Sequence, residues 1–519
     1  MKKLTFCPAA VLRARGLISA TTTTSDQELS TFFHQVKHHP KPISCYVGFD
    51  PTADSLHIGN LVSLRVLQVL QHHGFQPIAL VGGATGLIGD PSGRSTERNM
   101  QSTNQIRRNA QGIEACVRRL LRSNKDHTEE SPTDPNTTTH VPIIVNNLDW
   151  YLNQTPLDFI RDVGRHFRMG SMLSRDSVKS RLDSDSGMSF TEFSYQLFQA
   201  YDFLHLHQHH NCALQIGGSD QWGNILGGCE LVRRVENQKK EEQEEQEEQE
   251  EQEEQEDGQE KQDPKVNQQN QHQNQHQHQL DSNNQLQPTH SNEPSNIKVQ
   301  GLTVPLLTTS TGEKLGKSAG NAIWVDSKRT SPYELYQYFL NIQDEDVEQV
   351  YSMLAVDPTY DAETALSDIQ QVMQVHGQAP HKRHAQRSLA DAMVSWIHGE
   401  EGLESAQQAT KTLFATQATM HATEGMGDID WRVALKEAPS LKVLKNQLVG
   451  ATILDVVTEE LNLFKSRGET KRMIKSGGLY MNQERVENGE HVLTLKDLID
   501  ENLLIFRIGR KKYMLVDVV

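Results

Sequence analysis

The stretch YVGFDPTADSLHIGN, residues 46 to 60, decides how the chain is read. It begins inside the apolar run Ile43 to Phe49 and leads into the amphipathic stretch Leu61 to Leu70, which Gly74 closes before a second apolar run, Ile78 to Val81. Strand, helix, strand at this spacing implies a parallel sheet with right-handed crossovers. The turn between the first strand and helix then lies at the carboxyl end of the sheet, where phosphates meet helix N-termini. Thr52 and His57 are donors suited to nucleotide phosphates, and Gly59 lets an adenosine approach the backbone closely. Standing alone, a His-Ile-Gly sequence is more often a surface histidine at a helix start, so function must be read from further motifs.

Outward from that stretch, the 519 residues leave room for two or three cores. Mean hydropathy is −0.61 and 36% of the chain is hydrophobic. No apolar run reaches the roughly 18 residues of a membrane span, so no spanning helix is expected. Five cysteines (Cys7, Cys45, Cys116, Cys212, Cys229) are widely spaced without a C-x-x-C, which points to neither a disulfide framework nor a zinc site and fits a reducing compartment. The formal charge of −17 is concentrated: residues 236 to 296 hold 17 Asp/Glu and 4 Lys, so most of the excess acidity lies in one segment. There, EEQ triplets pass into Gln/Asn/His repeats with almost nothing to bury, and disorder is expected, with transient helix in the EEQ part. Residues 1 to 25 carry Lys2, Lys3, Arg13 and Arg15, several Ser/Thr and no acid, the composition of an organellar transit peptide, mitochondrial rather than chloroplast. The polar stretch 123 to 140 reads as a surface loop.

A second chemical signal is EKLGKSAGN, residues 313 to 321, just beyond the strand-like run Leu302 to Leu307. Lys314 and Lys317, three apart and followed by Ser318 among glycines, suit the stabilisation of charge building on a departing pyrophosphate, an electrostatic task rather than acid–base chemistry. Such a pair by itself is usually a solvated basic turn. A phosphate-binding turn early and a lysine loop after the last strand is, however, the arrangement of class I aminoacyl-tRNA synthetases. The sequence resembles a bacterial-type tyrosyl-tRNA synthetase along nearly all of residues 40 to 519. HIGN and KLGKS resemble that family's two signatures, and LVGGATGLIGDPSGRSTER (80 to 98), FTEFSYQLFQAYDF (190 to 203) and LQIGGSDQWGNI (214 to 225) resemble its substrate-binding stretches.

The resemblance implies roles residue by residue. Tyr46 and Asp202 would grip a phenolic hydroxyl, while Tyr195, Gln199 and Asp90 would hold the substrate ammonium. Gln215 and Gln221 would position the substrate carboxylate, and Gly218 and Asp220 the ribose. Gly48, Asp50, His57, Gly59, Arg94, Arg98 and Lys317 would complete the ATP site, with Thr52, His57, Asn60, Lys314, Lys317 and Ser318 acting on the reacting phosphates. A buried carboxylate opposite a phenol discriminates against phenylalanine, because without the hydroxyl it is left unpaired. Two departures stand out: Asn60 replaces a second histidine, so it donates without carrying charge, and Arg94 stands where many relatives have lysine. The acidic insert has no counterpart in the family pattern. No metal-ligating set is expected; HLHQHH (205 to 210) and the QHQNQHQHQ run lack carboxylates or cysteines at metal-site spacing.

The expected architecture is α/β: a transit peptide over 1–25, a Rossmann-like parallel-sheet catalytic domain over 26–343 interrupted by an insert at about 236–297, a helical anticodon-binding domain over 344–430, a linker over 431–450 and a small α+β RNA-binding domain over 451–519. In the last, KSRGETKRMIKSGGLYMNQERV (465 to 486) carries Lys471, Arg472 and Lys475 on one helix face, able to follow an RNA backbone. The implied reaction is tyrosine activation by ATP, with Mg²⁺, then transfer to tRNA(Tyr) in the mitochondrial matrix, by a homodimer with no membrane association. A synthetase-derived RNA-binding protein without catalysis and a tryptophanyl enzyme are the alternatives; Asp202 and its surrounding stretch favour a phenol pocket over an indole one.

Overall fold

The computed structural model describes residues 7–93, 101–121, 140–184, 187–260, 297–318, 321–414, 440–482, 484–499, 502–509 and 512–519. Two compact units emerge: Met1–Asp54, Ser63–Leu306 and Pro358–Ala362 form the first, and Ser55–Val62, Leu307–Asp357 and Glu363–Val519 the second. The 123 to 140 loop, apart from His140, lies outside the described residues.

The first unit is built on a six-stranded sheet. Its strands are β1 (Ala20–Thr21), β2 (Ser44–Phe49), β3 (Gln76–Val81), β4 (Ile143–Asn146), β5 (Cys212–Gly218) and β6 (Gln300–Val304), in the order β1-β6-β5-β2-β3-β4. The five strands β2 to β6 run parallel. Covered on both faces, such strands need unbroken apolar runs, and β3 is buried at every position after Gln76. The order reverses between β2 and β5, so the sheet has its switch point there, and crevices form at the carboxyl ends beside such a point.

Two sequence expectations change here. Residues 7 to 25, grouped by composition with a leader, are part of the sheet unit: Val11, Leu12, Leu17 and the Arg15 side chain are fully buried, and β1 pairs antiparallel with β6. Amphipathic basic composition suits a helix that packs as well as it suits an address, so composition alone did not separate the two. Likewise, the segment from 236 does not begin as coil. The helix Trp222–Glu260 runs straight through the EEQ triplets, with residues 241 to 250 exposed on every side. Glutamate and glutamine are good helix formers, and a helix already nucleated by the buried Ile225, Cys229, Leu231 and Val232 can be extended without further burial. Residues 261 to 296 lie outside the described residues.

In the second unit, helices Pro332–Leu340, Asp344–Val350, Ala362–Gln378 and His384–Phe414 follow one another, the first of them ahead of the 344–430 span expected to be helical. The first starts with a capping box in which Ser331 and Glu334 satisfy each other's backbone N–H groups. Five further strands form one sheet: β9 (Ser440–Val443), β10 (Leu479–Met481), β11 (Glu484–Arg485), β12 (Leu503–Ile508) and β13 (Lys512–Val518). The predicted linker is therefore too long, because β9, inside 431–450, pairs parallel with β13 as an edge strand, Leu515 opposite Ser440 and Val518 opposite Val443. Three of its four residues are exposed, so it carries no alternating apolar pattern by which to be read as a strand.

Candidate active site

Tyr46 on β2 and Gln215 on β5 are register partners across the switch point. Both are buried, at 1% and 2% exposure. The Tyr46 hydroxyl and the Gln215 Oε1 have no hydrogen-bond partner, nor does Oε1 of Gln199 from the helix Phe190–His210. Buried polar atoms without partners are costly and rare in folded proteins, so these three, from three elements of one unit, are candidates to line a polar slot. Two residues along β2, Gly48 is exposed although its strand is central, and a Cβ built there would meet nothing within 4 Å. The backbone is open at that point, as close approach of a nucleotide requires.

Asp202 anchors the other end of the slot. Ser189 caps the helix that carries it by accepting the Glu192 N–H, and a buried Arg181–Glu192 ion pair at 2.7 Å secures the same end. The Asp202 carboxylate accepts from Asn147 Nδ2 at 3.0 Å, Trp150 Nε1 at 3.1 Å and the Tyr151 hydroxyl at 3.0 Å. Burial pushes its pKa up to about 7, opposed by those three donors and reinforced by the charge of Asp50. Burial, and then the Asp202 charge, raises the Tyr46 phenol well above its ordinary value, so it is a neutral donor. The Tyr46 and Phe203 rings lie 5.5 Å apart and wall one side.

Asn147, Trp150 and Tyr151 were missed by sequence reading. They follow β4 in NNLDWY, residues 146 to 151. An asparagine pair and two polar-tipped aromatics just past the carboxyl end of a parallel strand was the available signal. Asn147 is fully buried and also accepts the Ala84 N–H at 2.7 Å while donating to Thr85 at 3.0 Å, so it ties the β3 and β4 ends together.

The expected ammonium group is split by the structure. Tyr195 donates to Asp50 Oδ2 at 3.0 Å, and Thr85 donates to the other Asp50 oxygen at 2.8 Å. Asp90 accepts instead from the Ser92 N–H at 2.9 Å and from Gln221 Nε2 at 2.7 Å. Asp50, assigned from sequence to the nucleotide alone, is thus held by the tyrosine that was expected beside Asp90. Gly82 is obligatory here, because a Cβ would stand 2.2 Å from Asp50 Oδ1. Asn224, buried and unforeseen, bonds to Ser92 and Gln221 at 3.3 Å and stiffens the Asp90 side. Asp220 lies against Gly218 and Gly93: a Cβ on Gly218 would come within 2.6 Å of its Oδ1. Thr52 is exposed, its N–H bonded to the Asp50 carbonyl at 2.8 Å. Arg94 and Arg98 lie outside the described residues.

The second unit brings the two signature motifs together. The Ile58 N–H donates to the Ile323 carbonyl at 3.2 Å and the Val325 N–H to Leu56 at 2.9 Å, and His57 forms an antiparallel bridge with Trp324. The segment that pairs with them returns from a hairpin in which β7 (Lys317–Ser318) opposes β8 (Asn321–Ala322). Gly316 enters that hairpin at φ +84°, which a side chain would resist, and its N–H donates to the Tyr338 hydroxyl at 2.8 Å. Lys314 is exposed. Asn60 Oδ1 accepts the His57 N–H at 3.0 Å, so its amide shapes the helix start as well as offering a donor. Gly59 makes room for the His57 imidazole, which a Cβ would approach to 3.0 Å.

Further along the same unit, helix Arg467–Lys475 exposes Lys471, Arg472 and Lys475 while Thr470 and Ile474 face inward. Lys471 lies 3.7 Å from Glu490, so the basic face is partly compensated.

Residues 38–247 and 273–415 match the family described as tRNA synthetases class I (W and Y). Residues 430–516 match the tyrosine–tRNA ligase SYY-like C-terminal domain. A mitochondrial tyrosine–tRNA ligase of Drosophila melanogaster is 38% identical over 484 residues, 91% of this chain and 87% of that one. A tyrosine–tRNA ligase of Rhodopirellula baltica is 35% identical over 508 residues, 98% of this chain and 95% of that one. Among solved structures, the C-terminally truncated mitochondrial tyrosyl-tRNA synthetase of Coccidioides posadasii is similar with TM-score 0.57 and 30% identity, over 77% of this chain and 90% of that one. The corresponding truncated enzyme of Aspergillus nidulans gives 0.58 and 28%, over 79% and 94%.

Proposed function

The chain belongs to the tyrosine–tRNA ligases of the class I synthetase family, and on that premise we propose how its own residues divide the work. As in other class I synthetases, ATP is a substrate of the ligation. The observation that carries the assignment of the amino-acid site is the slot of partnerless buried polar atoms, Tyr46 hydroxyl, Gln199 Oε1 and Gln215 Oε1, in the same unit as a carboxylate held by three donors. A tyrosine side chain supplies what the slot lacks: a hydroxyl that accepts from Tyr46 and donates to Asp202. Asp90 and Gln199 take the ammonium, with Tyr195 acting through Asp50. Gln215 orients the carboxylate, which attacks the α-phosphate in line as pyrophosphate leaves. Gln221 does so less directly, since its amide is bonded to Asp90.

To the nucleotide we assign Gly48, Asp50, Gly218 and Asp220 of the first unit, Gly59 of the second, and Arg94 and Arg98 on the resemblance alone. Thr52, His57, Asn60, Lys314, Lys317 and Ser318 stabilise charge on the phosphates as the bond breaks, which requires no nucleophilic side chain. Magnesium would accompany ATP on its phosphates and help to neutralise the charge that builds on the leaving pyrophosphate. Transfer to tRNA(Tyr) then uses the helical domain and the basic face of Lys471, Arg472 and Lys475. Neutralising those three together is expected to spare adenylate formation and to raise the KM for tRNA, with the loss shrinking at high salt.

The working form is a homodimer. Leu152, Leu157, Ile160, Met169 and Phe190 are 58–82% exposed, a density of large apolar side chains within 40 residues that solvent does not favour. Mitochondrial translation is the proposed setting, supported by the likeness to the mitochondrial ligase of Drosophila melanogaster. ATP–pyrophosphate exchange with tyrosine, tryptophan and phenylalanine tests the whole reading: exchange should be strong with tyrosine alone, and equal exchange with tryptophan would overturn it.

A further inference from the structure

Tyr151 packs its ring among Phe198 at 5.1 Å, Tyr201 at 5.7 Å and Phe159 at 6.0 Å between centroids. A phenylalanine would fill that place equally well. A hydroxyl there costs desolvation unless it is bonded, and this one has two acceptors in reach: the Asp202 Oδ1 at 3.0 Å and the Phe198 carbonyl at 2.8 Å. One O–H can serve only one of them fully at a time.

We propose that Tyr151 is a positioning residue of the amino-acid pocket: its hydroxyl, shared between Asp202 and the Phe198 carbonyl, sets how strongly Asp202 accepts from the para-hydroxyl of the bound amino acid, and so contributes to choosing tyrosine over phenylalanine. The proposal rests on the reading of Asp202 as the phenol acceptor given above.

The hydroxyl is suited to both protonation states of its neighbour. When Asp202 is ionised, Tyr151 donates to it and supports the charge. When Asp202 carries a proton, that O–H can point at the Tyr151 oxygen while the tyrosine turns its own hydrogen to the Phe198 carbonyl. No buried group is then left unpaired in either state. The other titratable groups facing Asp202 are Tyr46 on β2 and Asp50 just beyond its end; Asp50 accepts from Tyr195 and Thr85, and its charge disfavours that of Asp202. On the helix of Asp202, Tyr201 and His205 are neighbours, and His205 stacks on Trp150 at 4.3 Å, with burial depressing its pKa to about 4 so that it brings no charge. Tyr151 and the neutral donors Asn147 and Trp150 therefore provide the support for the ionised form.

Without the Tyr151 hydroxyl, Asp202 would keep its proton to higher pH. A substrate phenol would then meet a weaker acceptor, whereas phenylalanine would meet a less costly neighbour.

The test is Tyr151→Phe in the full-length chain, assayed by ATP–pyrophosphate exchange with each amino acid between pH 6.5 and 9 and by equilibrium tyrosine binding. At pH 7 the KM and Kd for tyrosine should rise about tenfold with kcat little changed, as for loss of one hydrogen bond to a charged group. Phenylalanine parameters should change much less, and the gap between variant and parent should narrow toward pH 9. In an Asp202→Asn background, Tyr151→Phe should have no further effect on the tyrosine-to-phenylalanine ratio. Equal losses for both amino acids at every pH, an unchanged ratio at pH 7, or an additive effect in the Asp202→Asn background would overturn the proposal while leaving the pocket assignment standing. If Asp202→Asn alone leaves the preference for tyrosine intact, the pocket assignment falls, and the proposal with it.

Discussion

The amino-acid pocket and the lysine hairpin, as proposed above, solve opposite problems. The pocket is assembled from β2, β5, the segment after β4 and the helix Phe190–His210, whose key residues lie up to 169 positions apart, Tyr46 to Gln215, and it is buried. The lysine motif is a contiguous run of nine residues, 313 to 321, in which Gly316 takes a left-handed backbone and Lys314 stands in solvent. Selection needs fixed, desolvated partners, because a buried acceptor discriminates only if water cannot replace the missing hydroxyl. Charge stabilisation at a leaving group needs reach, and a lysine on a short hairpin provides it at little cost to the core.

That contrast is open to test. The largest effect is expected from Asp202→Ala, which should lower kcat/KM for tyrosine by about 10³ while leaving phenylalanine activation nearly unchanged; tyrosine–tRNA ligases are themselves the established case of this asymmetry, with phenylalanine rejected by about 10⁵. Parallel losses for the two amino acids would make Asp202 merely structural and erase the distinction between the regions.

Lys317→Ala should reduce the rate of adenylate formation by about 10², the range for removing one charge-stabilising donor, with tyrosine affinity unaltered. A normal single-turnover rate in stopped flow would show that the hairpin does not act in the chemical step.

A pH series sharpens the pocket's side of the comparison. Burial raises the Asp202 carboxyl to about 7 in the folded chain, from the ordinary 3.8, so the folded state holds a proton that the unfolded chain has lost between those values. This group therefore subtracts stability as pH rises from about 4 to about 7 and by a constant amount above that. A substrate phenol that donates to the carboxylate favours the ionised form, so tyrosine affinity should improve by about tenfold from pH 6 to pH 8. Calorimetric titration in two buffers of different ionisation enthalpy should detect proton release on binding at pH 6.5. Affinity independent of pH would place the ionisation elsewhere.

The smallest effect is expected from the segment that joins the two regions in sequence. Replacing residues 261 to 296 by a short Gly/Ser linker should leave adenylate formation unchanged, because loop-closure cost varies by only about 0.6 kcal/mol per doubling of length. A shortened chain that folds by circular dichroism but activates tyrosine poorly would mean that the insert couples pocket and hairpin.

Much of the first unit was readable before any coordinates. Alternating apolar runs and amphipathic stretches predicted β2, the helix Ile58–His72 and β3 to within a few residues, since each pattern is local. The runs LLIFRI and KYMLVDV are β12 and β13. Errors fell where an element is stabilised by distant partners. Ala20–Thr21 is a strand only because β6 offers it an edge, and Ser440–Val443 only because β13 does. The continuation of helix through 241 to 260 depends on a buried stretch that precedes it.

The site divides along the same line. Sequence alone determined the class of the sheet, and it nominated a phosphate-facing turn, a lysine loop and residue types able to read a phenol, because those readings follow from local periodicity and short contiguous motifs. Only the tertiary structure decided that Tyr195 holds Asp50, that Gln221 holds Asp90, and that Asn147, Trp150 and Tyr151 surround Asp202. A buried polar side chain must find its partner wherever folding places one, and across a parallel sheet that partner comes from another crossover, at a separation no local pattern records.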